Sequence, residues 1–192
     1  MDYQNIVESN FTEHELAIKK VFLDHSSHIQ EIGKTMAYVL KNDGTIFWCG
    51  NGGSASDSQH LAAELVGRFK KNRRALRSIA LNTDTSVVTC IANDYSYEDI
   101  FSRQLEGLAR KGDLLMAIST SGNSHNILNA IIRAKELGVK TLALLGKDGG
   151  EAKKIADDSL IISSESTARI QESHILIGHV LCEIIEAELG IN

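Results

Sequence analysis

The chain has 192 residues, 43% of them hydrophobic, and a net charge of −5; it can bury one substantial core and is too acidic for general affinity to nucleic acid. No apolar run approaches the roughly 18 residues needed to cross a bilayer, and the opening MDYQNIVESNFTEHE is polar and acidic, unlike a signal peptide. Cys49, Cys90 and Cys182 are odd in number, widely spaced and set in apolar segments, which reads as buried reduced thiols in a reducing cytoplasm.

The first forty residues read as two helices. Ile6, Phe11, Leu16, Ile18, Val21 and Phe22 fit one amphipathic element loosely, and Ile29, Ile32, Met36, Val39 and Leu40 give a second at the three-to-four-residue period. The sheet alone cannot cover both, so they are expected to pack on a partner subunit. After Gly44, strands and helices alternate. Strand Thr45–Cys49 precedes a helix over Ser54–Phe69, with Ser54 placed to cap it. Strand Ser78–Leu81 precedes a helix near Thr85–Ala92, and strand Leu114–Ser119 precedes helix Ser124–Leu137. Strands Lys140–Leu145 and Ser159–Ile162 follow, and helix Ala168–Leu189 closes the chain. The strands are continuously apolar, as in a parallel sheet covered on both faces. The expected fold is α/β, a three-layer sandwich with a five-stranded parallel sheet plus two N-terminal helices packing in the oligomer. No proline occurs and no linker divides the chain, so residues 1–192 read as one domain, with 1–42 a helical extension and 43–192 the α/β core.

In such a sheet, ligands bind beyond the carboxyl ends of the strands. Two strand ends stand out. Gly50, Gly52 and Gly53 form a turn that exposes backbone N–H groups, and the helix after it carries His60 and Glu64, four apart and so neighbours on one face. The other is Ser119-Thr-Ser-Gly-Asn-Ser124, whose four hydroxyls at a helix start suit a phosphate. An ordinary serine-rich loop, or a surface His–Glu pair, would use the same letters for less. Gly50–Ala55 also matches the G-x-G-x-x-A dinucleotide fingerprint, but the acidic ribose partner is missing: positions 68–77 are RFKKNRRALR. That basic run, six Lys or Arg in ten positions, reads as a solvated connection, with attraction of a sugar phosphate or a protein contact as alternatives.

CGNGGS with His60, Glu64 and Leu65 following, AND at Ala92–Asp94, STSGNS, and ARIQE at Ala168–Glu172 together resemble the sugar isomerase (SIS) fold, and more closely the phosphoheptose isomerase family. The resemblance runs from about Lys41 to the C-terminus. It implies a cytoplasmic homotetramer with active sites near subunit interfaces. The implied reaction interconverts sedoheptulose 7-phosphate and D-glycero-D-manno-heptose 7-phosphate, the first step toward nucleotide-activated heptose for lipopolysaccharide core or another surface carbohydrate. It places phosphate on Ser119, Thr120, Ser121 and Ser124, and the sugar near Asn51, Gly52, Gly53, Ser54, Glu64, Asn93, Asp94 and Gln171. It implies zinc on His60, Glu64, Gln171 and His179, with Glu64 and His179 as the acid/base pair. Ala168 stands where some members carry an aspartate, so no acid role transfers there. Gln171 and His179 are eight apart, roughly 12 Å along a helix; both must lean inward to share a metal, or two subunits supply them. The rival is a non-catalytic SIS-domain binding protein of the DiaA type. Such proteins lack the equivalents of Glu64 and His179, and this chain has both.

Overall fold

The structure, a computed structural model, describes residues 2–191. Five parallel strands form one sheet: β1 Ile46–Gly50, β2 Ser78–Ala80, β3 Leu114–Ser119, β4 Lys140–Gly146 and β5 Asp158–Ile162, in the order β2-β1-β3-β4-β5. Successive side chains of each strand enter opposite cores, as the two-residue period demands. Ile46 and Trp48 join the apolar cluster under α1, α2 and α7. Phe47 and Cys49 join the one under α3, α4, α5 and α6. β1 and β3 are therefore buried on both sides along their whole length, which is why they read as unbroken apolar sequence, whereas the edge strand β2 leaves Ile79 exposed. This is the expected three-layer sandwich, and the strand boundaries lie within a residue or so of expectation.

Seven helices complete the described residues: α1 Tyr3–Lys41, α2 Gly53–Val66, α3 Thr85–Asp94, α4 Ser102–Leu108, α5 His125–Glu136, α6 Ala152–Ile155 and α7 Thr167–Glu188. The two expected leading helices are instead a single one of 39 residues, about 58 Å long. The polar stretch between Phe22 and Ile29, where they would part, is held helical by β5. There His25 Nε2 meets the Ile161 carbonyl at 3.1 Å, and His28 Nε2 lies 2.9 Å from the Asp158 carboxylate. Gly33 does not break the helix either, because α7 crosses so closely that a Cβ there would lie 2.6 Å from Ile184 Cγ2. Ile29, Ile32, Met36, Val39 and Leu40 are buried within this chain, so α7 covers the second half of α1. Phe11, Leu16, Phe22 and Leu23 remain exposed. Two short helices, α4 and α6, carry too few apolar positions to announce themselves by periodicity.

His174 sits in the core of α7 with 0% exposure. Its Nε2 lies 3.0 Å from the Leu145 carbonyl, and its buried Nδ1 has no partner. Burial pushes its pKa down to about 4, against the raising effect of that carbonyl. The neutral ring therefore stabilises the fold fully above the unfolded value of about 6.5, and the contribution fades as pH falls from there toward 4. Denaturant unfolding of the wild type should lose up to about 3 kcal/mol from this group across that window. A His174→Asn variant should show a flatter pH profile over the same range.

Candidate active site

β1 and β3 lie side by side, with Gly50 in register with Ile118. After β1 the chain turns to β2 on one side; after β3 it turns to β4 on the other. The connections diverge at this point, which opens a crevice at the carboxyl ends of the two strands. Both motif loops rise from it.

In the first loop, Gly52 takes a positive φ of 56° and is the N-cap of α2, a conformation open to glycine without strain. The helix thus starts at Gly53, one residue earlier than expected, and Ser54 is not its cap. Ser54 is buried, and its carbonyl accepts the Ser58 hydroxyl at 2.8 Å. Asn82, at the end of β2, donates its Nδ2 to the Gly50 carbonyl at 2.8 Å and pins the turn. In the second loop, Ser119 Oγ accepts from the Gly122 N–H at 3.0 Å and Ser121 Oγ from the Asn123 N–H at 3.2 Å. Each hydroxyl has thereby spent a lone pair and keeps its own hydrogen to donate. Ser124 is the N-cap of α5, and its side chain makes no capping bond. The loop therefore presents donors, as an anion requires.

Helices α2 and α7 run side by side in the same direction. A Cβ on Gly53 would collide with the Gln171 amide, and one on Gly178 would collide with Leu61. Further along, His60 Nε2 lies 3.2 Å from Glu64 Oε1 and 3.3 Å from His179 Nε2. The rings of His60 and His179 meet edge to face at 5.0 Å, and Phe69 stacks on His179 at 5.5 Å. Ligand atoms of His60, Glu64 and His179 all fall within 4.8 Å of one another. Tetrahedral zinc at about 2.05 Å from each donor sets its donors about 3.4 Å apart, so two imidazoles and a carboxylate at these separations fit that ion. Gln171 lies against the Gly53 backbone, about two helical turns from His179. Asn93 and Asp94, at the exposed end of α3, bond to each other at 2.8 Å, and Asp94 also accepts from Cys90.

Cys90, Arg73 and Asp57 each depart from or add to what the sequence led one to expect. Cys90 is exposed in this chain, unlike the buried Cys49 and Cys182. Arg73, inside the basic run, is not solvated: its side chain is 2% exposed and bonds Glu186 at 3.0 Å. Arg73 also donates to the carbonyls of Glu64 and Leu65 at 2.7 and 2.8 Å, placing a cation on the last turn of α2 as the helix dipole favours. Finally, Asp57 lies one turn before His60. Burial pushes its carboxyl up to about 6 against the attraction of His60, and Oδ2 has no partner. An acid three residues before the histidine was the available signal.

Residues 11–146 match the SIS domain family. The phosphoheptose isomerase of a Nitratiruptor species is 52% identical over 180 residues, 94% of this chain and 96% of that protein. The phosphoheptose isomerase of Helicobacter pylori is 50% identical over 182 residues, 95% of each chain. Among solved structures, phosphoheptose isomerase GmhA from Neisseria gonorrhoeae superposes with a TM-score of 0.92 at 40% identity, covering 96% of this chain and 99% of that one. The phosphoheptose isomerase from Francisella tularensis gives 0.94 at 35% identity, covering 97% and 100%.

Proposed function

The chain belongs to the SIS-domain family and, within it, to the phosphoheptose isomerases; from that premise we propose that this sugar-phosphate isomerase interconverts sedoheptulose 7-phosphate and D-glycero-D-manno-heptose 7-phosphate through an enediol. The product would feed nucleotide-activated heptose for a surface carbohydrate. The observation that carries this reading is the convergence of His60, Glu64 and His179, from two helices, within 4.8 Å of one another. A binding-only protein has no use for that convergence, and the named relatives are isomerases.

The substrate phosphate docks on the hydroxyls of Ser119, Thr120, Ser121 and Ser124 and on the first amides of α5. The reactive end of the sugar lies at Asn51–Ser54 and Gln171, with Asn93 and Asp94 nearby. Glu64, about 16 Å along α2 from Gly53, meets these carbons when a neighbouring subunit supplies it; it takes the proton from C2 of the aldose, or C1 of the ketose, and the electron pair moves onto the carbonyl oxygen. His179 delivers a proton to that oxygen and takes one from the neighbouring hydroxyl, and Glu64 returns its proton to the adjacent carbon. His60, Glu64 and His179 would hold zinc, which would supply a Lewis acid for the carbonyl; Gln171, about two turns away beside Gly53, completes the set only from a neighbouring subunit. A carboxylate bound tightly to a cation is a weaker base, so Glu64 serves both tasks only if its hold on the metal is loose.

The exposed apolar side chains of α1, with Leu176 and Val180 of α7, support assembly of copies of this chain into a homotetramer with the site near an interface. No helix among the described residues is long and apolar enough to cross a membrane. Together with three free cysteines, this supports a cytoplasmic enzyme built as one SIS domain. The test is to incubate the protein with sedoheptulose 7-phosphate, fructose 6-phosphate and ribulose 5-phosphate and to follow the aldose by NMR. Turnover of the seven-carbon sugar is expected, lost after dialysis against a chelator and restored by zinc. Turnover of none of the three with zinc present rejects the reading.

A further inference from the structure

Two asparagines join the loops that the proposed chemistry keeps apart. Asn51 stands in the glycine turn after β1, and Asn126 in the first turn of α5, directly after the serine loop. Asn51 Nδ2 donates to Asn126 Oδ1 at 2.9 Å, and Asn126 Nδ2 donates to Asn51 Oδ1 at 2.9 Å. Tyr97 adds a third bond, its hydroxyl donating to the same Asn51 oxygen at 3.0 Å. Asn126 is 2% exposed, so its amide is withdrawn from water and depends on this partner.

The saturation of these groups has a chemical consequence. An amide oxygen offers two lone pairs, and Asn126 and Tyr97 occupy both of those on Asn51. The Asn51 side chain therefore has no acceptor left for a sugar hydroxyl and retains one N–H. The turn must recognise the sugar chiefly through its backbone, and the Asn51 side chain is committed to holding the turn in place. Asn126 is the other half of that brace.

We propose that Asn126 is a positioning residue: its reciprocal amide pair with Asn51 fixes the distance between the loop that takes the phosphate and the turn that takes the reactive carbons, and so selects the length of phosphosugar that is turned over. The inference rests on the sugar-phosphate isomerase reading above. A phosphosugar is held at both ends, and a seven-carbon chain places its C1 and C2 farther from the phosphate than a six-carbon chain does. A fixed spacing between the two holds therefore discriminates between them. If the spacing is released, the two ends still bind, but the reacting carbons no longer meet the catalytic base. Misplacement of about 1 Å costs on the order of a hundredfold in rate.

The experiment compares the wild type with Asn126→Ala, which removes both bonds to Asn51 without adding charge beside the phosphate loop. kcat and KM are measured with sedoheptulose 7-phosphate, together with inhibition constants for fructose 6-phosphate and inorganic phosphate and a thermal unfolding curve. The expected result is a roughly ten- to hundredfold fall in kcat. Fructose 6-phosphate should gain on the seven-carbon sugar in relative affinity, while inorganic phosphate stays within about twofold. A purely structural role would lower the Tm and the active fraction without moving KM or the ratio of the affinities, and that outcome overturns the proposal. Loss of inorganic phosphate binding overturns it as well, because Asn126 would then be building the phosphate loop itself. Tyr97→Phe is the second variant should Asn126→Ala fail to fold. It removes one bond from an exposed side chain and should shift the affinity ratio the same way by a smaller factor; no shift rejects the brace. A wild type that turns over none of the sugars rejects the isomerase reading, while the binding measurements still judge the brace.

Discussion

Glu64→Gln is expected to lower kcat for sedoheptulose 7-phosphate by about three orders of magnitude, the usual scale for removing a positioned general base. Glutamine keeps the length of the side chain and can still meet His60 Nε2, now 3.2 Å from the carboxylate. It cannot accept a proton from carbon. Packing and hydrogen bonding are thus nearly conserved, while the reaction loses its acceptor. The proposed phosphate hold is on a different strand end, at Ser119–Ser124, so inorganic phosphate should inhibit with its affinity changed by no more than about twofold. If the phosphate affinity collapses together with kcat, Glu64 is a structural residue and the assignment of the base is wrong. Steady-state kinetics and phosphate competition on one preparation separate the two cases.

The second large effect concerns stability. Glu186 is 3% exposed and accepts from the N–H groups of Phe69, Lys70 and Lys71 and from Arg73 Nε, all at 3.0–3.3 Å. Burial works to raise its pKa, but the Lys70 and Phe69 amides and the Arg73 guanidinium outweigh it and hold the carboxyl below the ordinary range. A depressed carboxylate stabilises the fold above its unfolded pKa of about 4.3 and loses that contribution as pH falls below it. Glu186→Ala should cost about 3–5 kcal/mol, because it strands a buried guanidinium and three amides. For a chain of this size that is a fall in Tm of roughly 6–20 °C. The apolar double variant Arg73→Met/Glu186→Leu should be less destabilised than either single change, since no charge is left without a partner. Differential scanning calorimetry measures all three. Activity should fall with stability in the single variant, because Arg73 also closes the last turn of α2, at Glu64 itself.

The strands were legible because burial on both faces leaves a local mark: every position of β1 and β3 is apolar or small, and no distant partner is needed to see it. The His60–Glu64 pair was legible for a similar reason, since four-residue spacing on a helix is a geometric statement. His179 was reached only through resemblance, because α7 approaches α2 through contacts more than a hundred residues apart in sequence. The continuity of α1 was not legible. Its polar middle is held by Asp158 and the Ile161 carbonyl, and nothing near His25 or His28 announces them. Arg73 looked like its five basic neighbours, and Glu186, 113 residues away, decides that it is buried. Asn126 was missed likewise: an asparagine in the first turn of a helix suggests a local bond, and its partner is 75 residues upstream.

The clasp of α1 on the end of the chain also sets an order of events during synthesis. His28 and Asp158 are 130 residues apart, and α7, which covers Ile29, Ile32 and Met36, follows Asp158 in the sequence. At 5–20 residues per second, α1 leaves the ribosome roughly 7–26 s before β5 follows it, and α7 comes later still. Throughout that interval a long helix stands with its apolar stripe uncovered. Burial of that stripe waits for the synthesis of α7.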